Sequence, residues 1–292
     1  HSMRYSISRW GASGLSVTSK ARAVGRRMYA MGRPGRTTAG WGTSTTSEDT
    51  ELSSSLRTAR NRGRELTRDA AYAKRAKRII QNNVVGSGIG LQAKVETSRG
   101  RLSDRINDDI EEVWEAWCQA SHCHTGQSLH FADFERQIMG QVFEAGEVFV
   151  RLHRFKRGDS RVPLALEVIE AERIADEFQP GPNAPGAHIR MGVEVDQFGA
   201  PLDYWIRTRH PGELHLQTHE VDQIERVLAE DIIHLRHIDR WPQTRGIPWM
   251  HTVGRKLNDM DGLTEAEVTA ARGSACYMGF IEPPADNSSS FE

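Results

Sequence analysis

The sequence predicts an α+β subunit in which helices come first, a small β-rich region follows and one long helix comes last. Three observations predict it. Apolar residues recur at helical spacing over 52–85, 103–120 and 128–145. Short alternating or β-branched runs, bounded by Gly, Pro and Asp, then dominate from 146 to 235. Finally, nothing interrupts a helical pattern between the turn Arg240-Trp241-Pro242-Gln243-Thr244-Arg245-Gly246-Ile247-Pro248-Trp249 and Pro283-Pro284.

That last stretch organises the reading. On a helix, Val253, Leu257, Met260, Val268, Ala271, Ala275 and Met278 share one face, and Arg255, Asn258, Asp259, Glu265, Thr269 and Arg272 the other. A helix over 251–280 would be roughly 45 Å long. Gly254, Gly262, Gly273 and Gly279 each weaken it by roughly 1 kcal/mol. So thin a stripe on so glycine-rich a helix is marginal alone, and it is expected to lean on neighbours, other copies of the chain included. A break into two helices near Asp261-Gly262 is the competing expectation.

The composition, 38% hydrophobic and 26% charged, is that of an ordinary soluble protein, and no run approaches the apolar length of a membrane span. The first residues are polar and basic, unlike a secretory signal, and His1-Ser2 before Met3 reads as an expression remnant. Cys118, Cys123 and Cys276 are few, odd in number and unpatterned, which suits a reducing cytoplasm and argues against a disulfide framework. The net charge hides an asymmetry. Residues 1–80 hold 17 Lys and Arg against 5 Asp and Glu, a balance of +12; with the whole chain at −1, the remainder carries −13. A basic leader fits contact with nucleic acid or with an acidic partner, and equally a solvated arm.

Residues 1–46, rich in Gly, Ser, Thr and Arg, read as a basic flexible arm with little apolar surface to bury. Order is expected from Ser47-Glu48-Asp49. Leu52 to Val85 favours helix, with Asp69 as a cap that restarts it. Arg57, Arg60, Arg64, Arg68, Arg75 and Arg78 give this region a basic exterior, a candidate contact surface whose ordinary alternative is a solvated face. The glycines of Gly86-Ser87-Gly88-Ile89-Gly90 follow a helix and precede Leu91-Gln92-Ala93-Lys94-Val95, which alternates like a strand. A dinucleotide site needs the reverse order, so this is a turn. Ser103-Asp104 can cap a helix to about Ala120. A helix over 128–145, strands over 146–152 and 164–169 and a proline-rich loop over 179–187 come next. A hairpin joins 190–195 to 202–208, and 225–228 with 232–235 would close the β-rich module.

Chemistry is sparse. Cys118, His122, Cys123 and His124 cluster, yet zinc sites draw ligands in separated pairs and no second pair follows; a polar turn is the default. Glu167, Glu170, Glu172 and Asp176 lack the downstream lysine of a metal-dependent nuclease site. There is no nucleophile elbow, P-loop or paired-His helix. The sequence predicts no catalytic residue, no cofactor and no resident metal.

Several short motifs stand in a familiar order. They include Asn82-Asn83-Val84-Val85-Gly86-Ser87-Gly88-Ile89, Trp114-Glu115-Ala116-Trp117, Ala145-Gly146-Glu147-Val148-Phe149-Val150 and Val168-Ile169-Glu170-Ala171-Glu172-Arg173-Ile174. Later come Gly192-Val193-Glu194-Val195-Asp196 with Tyr204-Trp205, His210-Pro211-Gly212, Ile232-Ile233-His234, Gln243-Thr244-Arg245-Gly246-Ile247-Pro248-Trp249 and Ala275-Cys276-Tyr277-Met278-Gly279-Phe280-Ile281. Over residues 51–282 this succession resembles the lambda-type tailed-phage portal family.

The resemblance implies a non-enzymatic ring subunit, typically one of twelve, at one capsid vertex of the virion and assembled in the bacterial host cytoplasm. Its expected partners are further copies of itself, the terminase large subunit, the major capsid or scaffold protein, a head–tail connector protein and double-stranded DNA, which passes through the channel in packaging and ejection without sequence preference. No membrane is implied. It divides the chain into the arm 1–46, a wing-like α+β domain 47–189, a β-rich module 190–240 that is clip or wing, a turn with a channel or stem helix 241–282, and a tail 283–292. Family members run longer, so part of the channel wall and the crown are expected to be missing. The alternative function is a nucleic-acid-binding module that uses the basic arm, which would bind with steep salt dependence.

Overall fold

The computed structural model of the protein describes residues 30–33, 35–178, 188–213, 223–277 and 279. The chain divides into two units, His1–Thr45 and Thr46–Glu292. The described part of the first is a 3-10 turn at Ala30–Gly32 and a turn in which the Thr38 hydroxyl accepts from the Gly35 N–H at 2.9 Å. Most of the sequence-predicted arm, the loop over 179–187, Met278 and the tail 283–292 lie outside the described residues.

The second unit opens with α1 (Glu48–Asp69). Ser47 caps it, accepting from the Thr50 N–H, and Glu48, Asp49 and Glu51 sit where the helix dipole favours negative charge. Leu52, Leu56, Arg60, Gly63 and Thr67, spaced at three and four, form its buried face. Helix α2 (Ala71–Val84) restarts after a single extended residue, Ala70. Asp69 does not cap it as expected: its carboxylate is taken by the Arg68 guanidinium at 2.8 Å.

The expected strand over 91–95 is also corrected. Among the described residues that segment pairs with no strand; the Ala93 and Val95 N–H groups donate instead to Glu111 and Asn107 side chains of α3 (Asp104–Trp117), at 2.9 and 2.8 Å. The chain then runs through the single turn α4 (Ala120–Cys123) into α5 (Phe131–Ala145), which ends at Gly146 in the left-handed region, φ 89°.

Two antiparallel sheets follow. One orders as β2-β1-β7, built from β1 (Glu147–His153), β2 (Ala165–Ile169) and β7 (Ile232–Arg236). The other orders as β3-β4-β5-β6, from β3 (His188–Arg190), β4 (Val193–Val195), β5 (Pro201–Arg207) and β6 (Ile224–Leu228). Residues 190–195 were expected as one strand, but Met191 and Gly192, both at positive φ (48° and 81°), make a two-residue hairpin turn between β3 and β4. The strand at 232–236 pairs with β1, Phe149 opposite His234, and so leaves the module it was expected to close.

Strand alternation explains the layers. Phe149, Ile169 and Ile232 face the second sheet and pack on Val193, Tyr204, Ile206 and Val227. Val150 and Leu166 face the opposite way, onto Trp117, Phe134 and Cys123. Both faces of β1 are therefore covered, which is why its first four residues are all buried. A third cluster, Ala70, Ala73, Phe143 and Met250, joins α1, α2 and α5 to the segment that leads into the last helix.

Candidate functional site at the root of the last helix

That helix, α6, spans Gly254–Cys276 without a break. Its 23 residues make it roughly 35 Å long. None is buried, and only Gly254 and Leu257 are half-buried. Of the predicted stripe, Leu257 touches the third cluster, while Val253, Met260 and Val268 remain 44%, 40% and 43% exposed. Ala271 and Ala275 are exposed too, as is Leu263 beside the stripe.

What holds the root of this helix is polar. Gln243, Thr244 and Arg245 are all buried in the segment before it. Gln243 closes the local turn, accepting from the Asp239 N–H at 2.9 Å and donating to the Arg245 carbonyl at 2.8 Å. Thr244 donates to Asp49 of α1 from its N–H at 2.7 Å and from its hydroxyl at 2.8 Å. Arg245 binds Glu147 of β1, and two further N–H groups reach the Met191 carbonyl at 2.6 Å and the Ala171 carbonyl at 3.2 Å. One guanidinium thus ties the root to both sheets and to the strained turn at Met191.

Glu147 is the hub. Besides Arg245 it accepts from Arg60 of α1 at 3.1 Å, from the Gly246 N–H at 2.8 Å and from His234 of β7 at 3.0 Å. Burial opposes its charge, but the Arg245 charge, the His234 hydrogen bond and Arg60 outweigh that and hold its carboxyl below the usual carboxylate range. Burial, and then the Arg245 charge, push Arg60 down from the ordinary arginine value. The tautomer of His234 is set by its neighbours. Its Nδ1 faces the Arg236 guanidinium at 2.9 Å, which only donates, so the proton sits on Nε2 and points at Glu147. Burial pushes the His234 pKa down to about 4 against the pull of Glu147, so the ring is neutral. Phe149 stacks on it, centroids 4.1 Å apart, and also underlies the Arg245 guanidinium.

Backbone contact completes the joint. Gly146 and Gly246 lie so close that a Cβ on either would strike the other strand's backbone. Beyond them, the Trp249 N–H donates to the Phe143 carbonyl at 3.2 Å and Met250 enters the third cluster. A cleft between α1 and this root is lined by Leu66, Pro248, Met250, Gly254 and Asn258.

The basic surface is redistributed. Arg60, expected on the exterior, is buried on Glu147, because it falls on the same helical face as Leu52 and Leu56. Arg57 pairs with Glu177 at 3.1 Å, Arg64 with Glu172 at 2.7 Å, and Arg68 with Asp69. Arg75 and Arg78 are exposed. The Cys and His residues near 118–124 do not converge among the described residues. Burial raises the Cys118 and Cys123 thiols to about 11, while His122 is held by the Ala116 carbonyl and Asp159. Glu170, Glu172 and His210 do approach one another, but the Arg64 guanidinium already sits on both carboxylates. Glu167 stands apart from them, held by Arg173 and His153. Sequence reasoning missed Glu147 and His234 as a pair. A lone acid at the head of the apolar run Val148-Phe149-Val150, and an Arg set between Thr244 and Gly246 in a turn with no acid, were the available signals.

Fold and site together define a scaffold: an α+β body whose buried charges fix the base of a helix that the body itself leaves uncovered. The chain belongs to the lambda family of phage portal proteins, whose pattern matches residues 34–292. It is 28% identical over 242 residues to the probable portal protein of Halomonas phage phiHAP-1, covering 80% of this chain and 46% of that protein. Portal protein B of Escherichia phage lambda is 20% identical over 259 residues, covering 86% of this chain and 48% of that one. The chain thus spans about half the length of these relatives. Among solved structures, a chain from the neck of an empty gene transfer agent particle, computed with C6 symmetry, aligns with TM-score 0.44 at 13% identity over 86% of this chain and 50% of its own. One from the virion of a native gene transfer agent particle aligns at 0.39 and 14% identity, over 90% and 53%.

Proposed function

We propose that this chain is one subunit of a closed ring, typically of twelve copies, at a single capsid vertex of the virion. The ring is a conduit for DNA packaging and ejection, and a docking site for the terminase large subunit, the capsid or scaffold protein and a head–tail connector. In this reading 47–189 is the wing, 190–240 belongs to the wing or the clip, and α6 is a stem or channel-type helix. Assembly takes place in the host cytoplasm.

The observation that carries the reading is α6 itself. Among the described residues this 23-residue helix finds cover only at Gly254 and Leu257, and helices gain most of their stability from packing an apolar face. Neighbouring copies supply that packing. The charges fit a conduit as well. Asp259, Asp261, Glu265 and Glu267 run through α6 against Arg255, Lys256 and Arg272. Phosphate neutralisation gives affinity, so a wall that must let DNA slide gains from carboxylates. The candidate basic contact surface on α1 is already engaged, since ion pairs occupy Arg57, Arg60, Arg64 and Arg68.

The test is Leu257→Asp with Met260→Asp. In this reading the double variant keeps the helical content of the parent and no longer forms rings in electron micrographs. Rings that persist would remove this face from the interface.

A further inference from the structure

Helices α2 and α3 carry opposite charge on opposite flanks of the same layer. On α2 the exposed cations are Lys74, Arg75 and Arg78, and the helix contains no acid at all. Tyr72 and Ile79 lie exposed beside them, 66% and 48% accessible. On α3 the exposed acids Asp104, Asp108, Glu112 and Glu115 fall in line at spacings of four, four and three, with Asp109 alongside and Arg105 as the one cation. Ile106 and Ile110 are exposed next to this row. Among the described residues none of these three cations and five acids is in an ion pair.

The flanks are opposite because α5 lies between the two helices. Phe131 of α5 packs against Trp114 and Trp117 of α3, ring centroids 5.4 and 5.3 Å apart, in the cluster that also holds Phe134 and Ile138. Phe143 meets Ala73, and Gly140 lies against Lys77 and Gln81, on α2. Positions two apart on a helix, such as Ile138 and Gly140, point about 200° apart at 3.6 residues per turn. The connecting segment crosses the N-terminal end of α5, where Arg136 donates to the Gly86 carbonyl at 2.8 Å and the Ile89 N–H donates to Glu135 at 3.0 Å.

We propose that the α2 face of one copy docks on the α3 face of the next, making a head-to-tail contact between wings. The inference rests on the ring reading and says which surfaces close the ring. A two-fold dimer would have to bring both faces of each copy against one partner, and faces on opposite flanks do not allow that. A head-to-tail contact instead uses one basic and one acidic face per joint and leaves none unmatched only when the chain of copies closes. The exposed Tyr72, Ile79, Ile106 and Ile110 give the contact an apolar component beside its charges.

The experiment is a charge swap followed by mixing. One variant carries Lys74→Glu, Arg75→Glu and Arg78→Glu; the other carries Asp108→Lys, Asp109→Lys and Glu112→Lys. All six sites are exposed, so circular dichroism matching the parent is expected for both. Alone, each variant presents like charges at every joint and loses the ring peak in size-exclusion chromatography. Mixed in equal amounts, the two restore it as alternating copies, and raising the salt weakens the restored assembly as screening shortens to about 3 Å at 1 M. Single variants that assemble like the parent, or a mixture that stays dispersed, overturn the proposal while the parent's rings keep the ring reading standing. A parent that never forms rings removes both. Loss of duplex DNA retention in the first variant, with its assembly intact, makes the α2 face a nucleic-acid surface and overturns the proposal as well.

Discussion

Arg245 closes on Glu147 with Nη2 at 2.7 Å and Nε at 2.9 Å, and neither side chain reaches solvent. Around this pair meet α1, both sheets and the root of α6, so the direction in which α6 leaves the body depends on charges sealed inside it.

Buried ion pairs stabilise little against an apolar replacement, but removing one partner strands the other. Glu147→Gln is therefore expected to cost about 3–5 kcal/mol, because Arg60 and Arg245 lose their counter-charge together. Urea unfolding measures it. Arg245→Lys does not rescue the fold, since a single ammonium cannot reach Glu147, the Met191 carbonyl and the Ala171 carbonyl at once.

Acid is expected to weaken the fold early. The unfolded chain protonates His234 near 6.5, whereas the folded chain resists until about 4. A depressed folded pKa means that this stability is complete above pH 6.5 and is lost as pH falls toward 4. The loss from His234 is about 3 kcal/mol over that window. Below about 4.5 Glu147 adds a loss of the same sign, its folded pKa also being lowered. Melting temperatures at pH 7.5, 6, 5 and 4 check this; a flat profile across them would show that the cluster is not titration-sensitive.

Glycine positions separate joint from stem. Gly246→Ala drives a Cβ into the Gly146 carbonyl and is expected to destabilise by about 1–3 kcal/mol. Gly262→Ala, in the open interior of α6, is expected to stabilise the helix by about 0.5–1 kcal/mol. Equal effects at the two sites would contradict the close backbone approach at the joint.

The helices were legible in the sequence because their signals are local. Ser47 caps, Leu52 and Leu56 repeat, and the 251–280 pattern has no breaker. The layer order was not legible. Strand 232–236 follows the second sheet in sequence, yet pairs with β1 some eighty residues earlier, and no local pattern records such a choice. Arg60 was misplaced for a related reason. Its helical phase matched Leu56, but an arginine reads as exterior until the Glu147 that receives it is known. The segment 91–95 alternates like a strand in sequence, but its Ala93 and Val95 N–H groups are taken by side chains of α3.

Molar mass by light scattering, with image averaging of the same sample, tests the central claim most directly. The account predicts closed rings whose mass is a whole multiple of 32.8 kDa and which Leu257→Asp with Met260→Asp reduces to single chains. A parent chain that stays at 32.8 kDa at every concentration and salt, with α6 stable on its own, would contradict it.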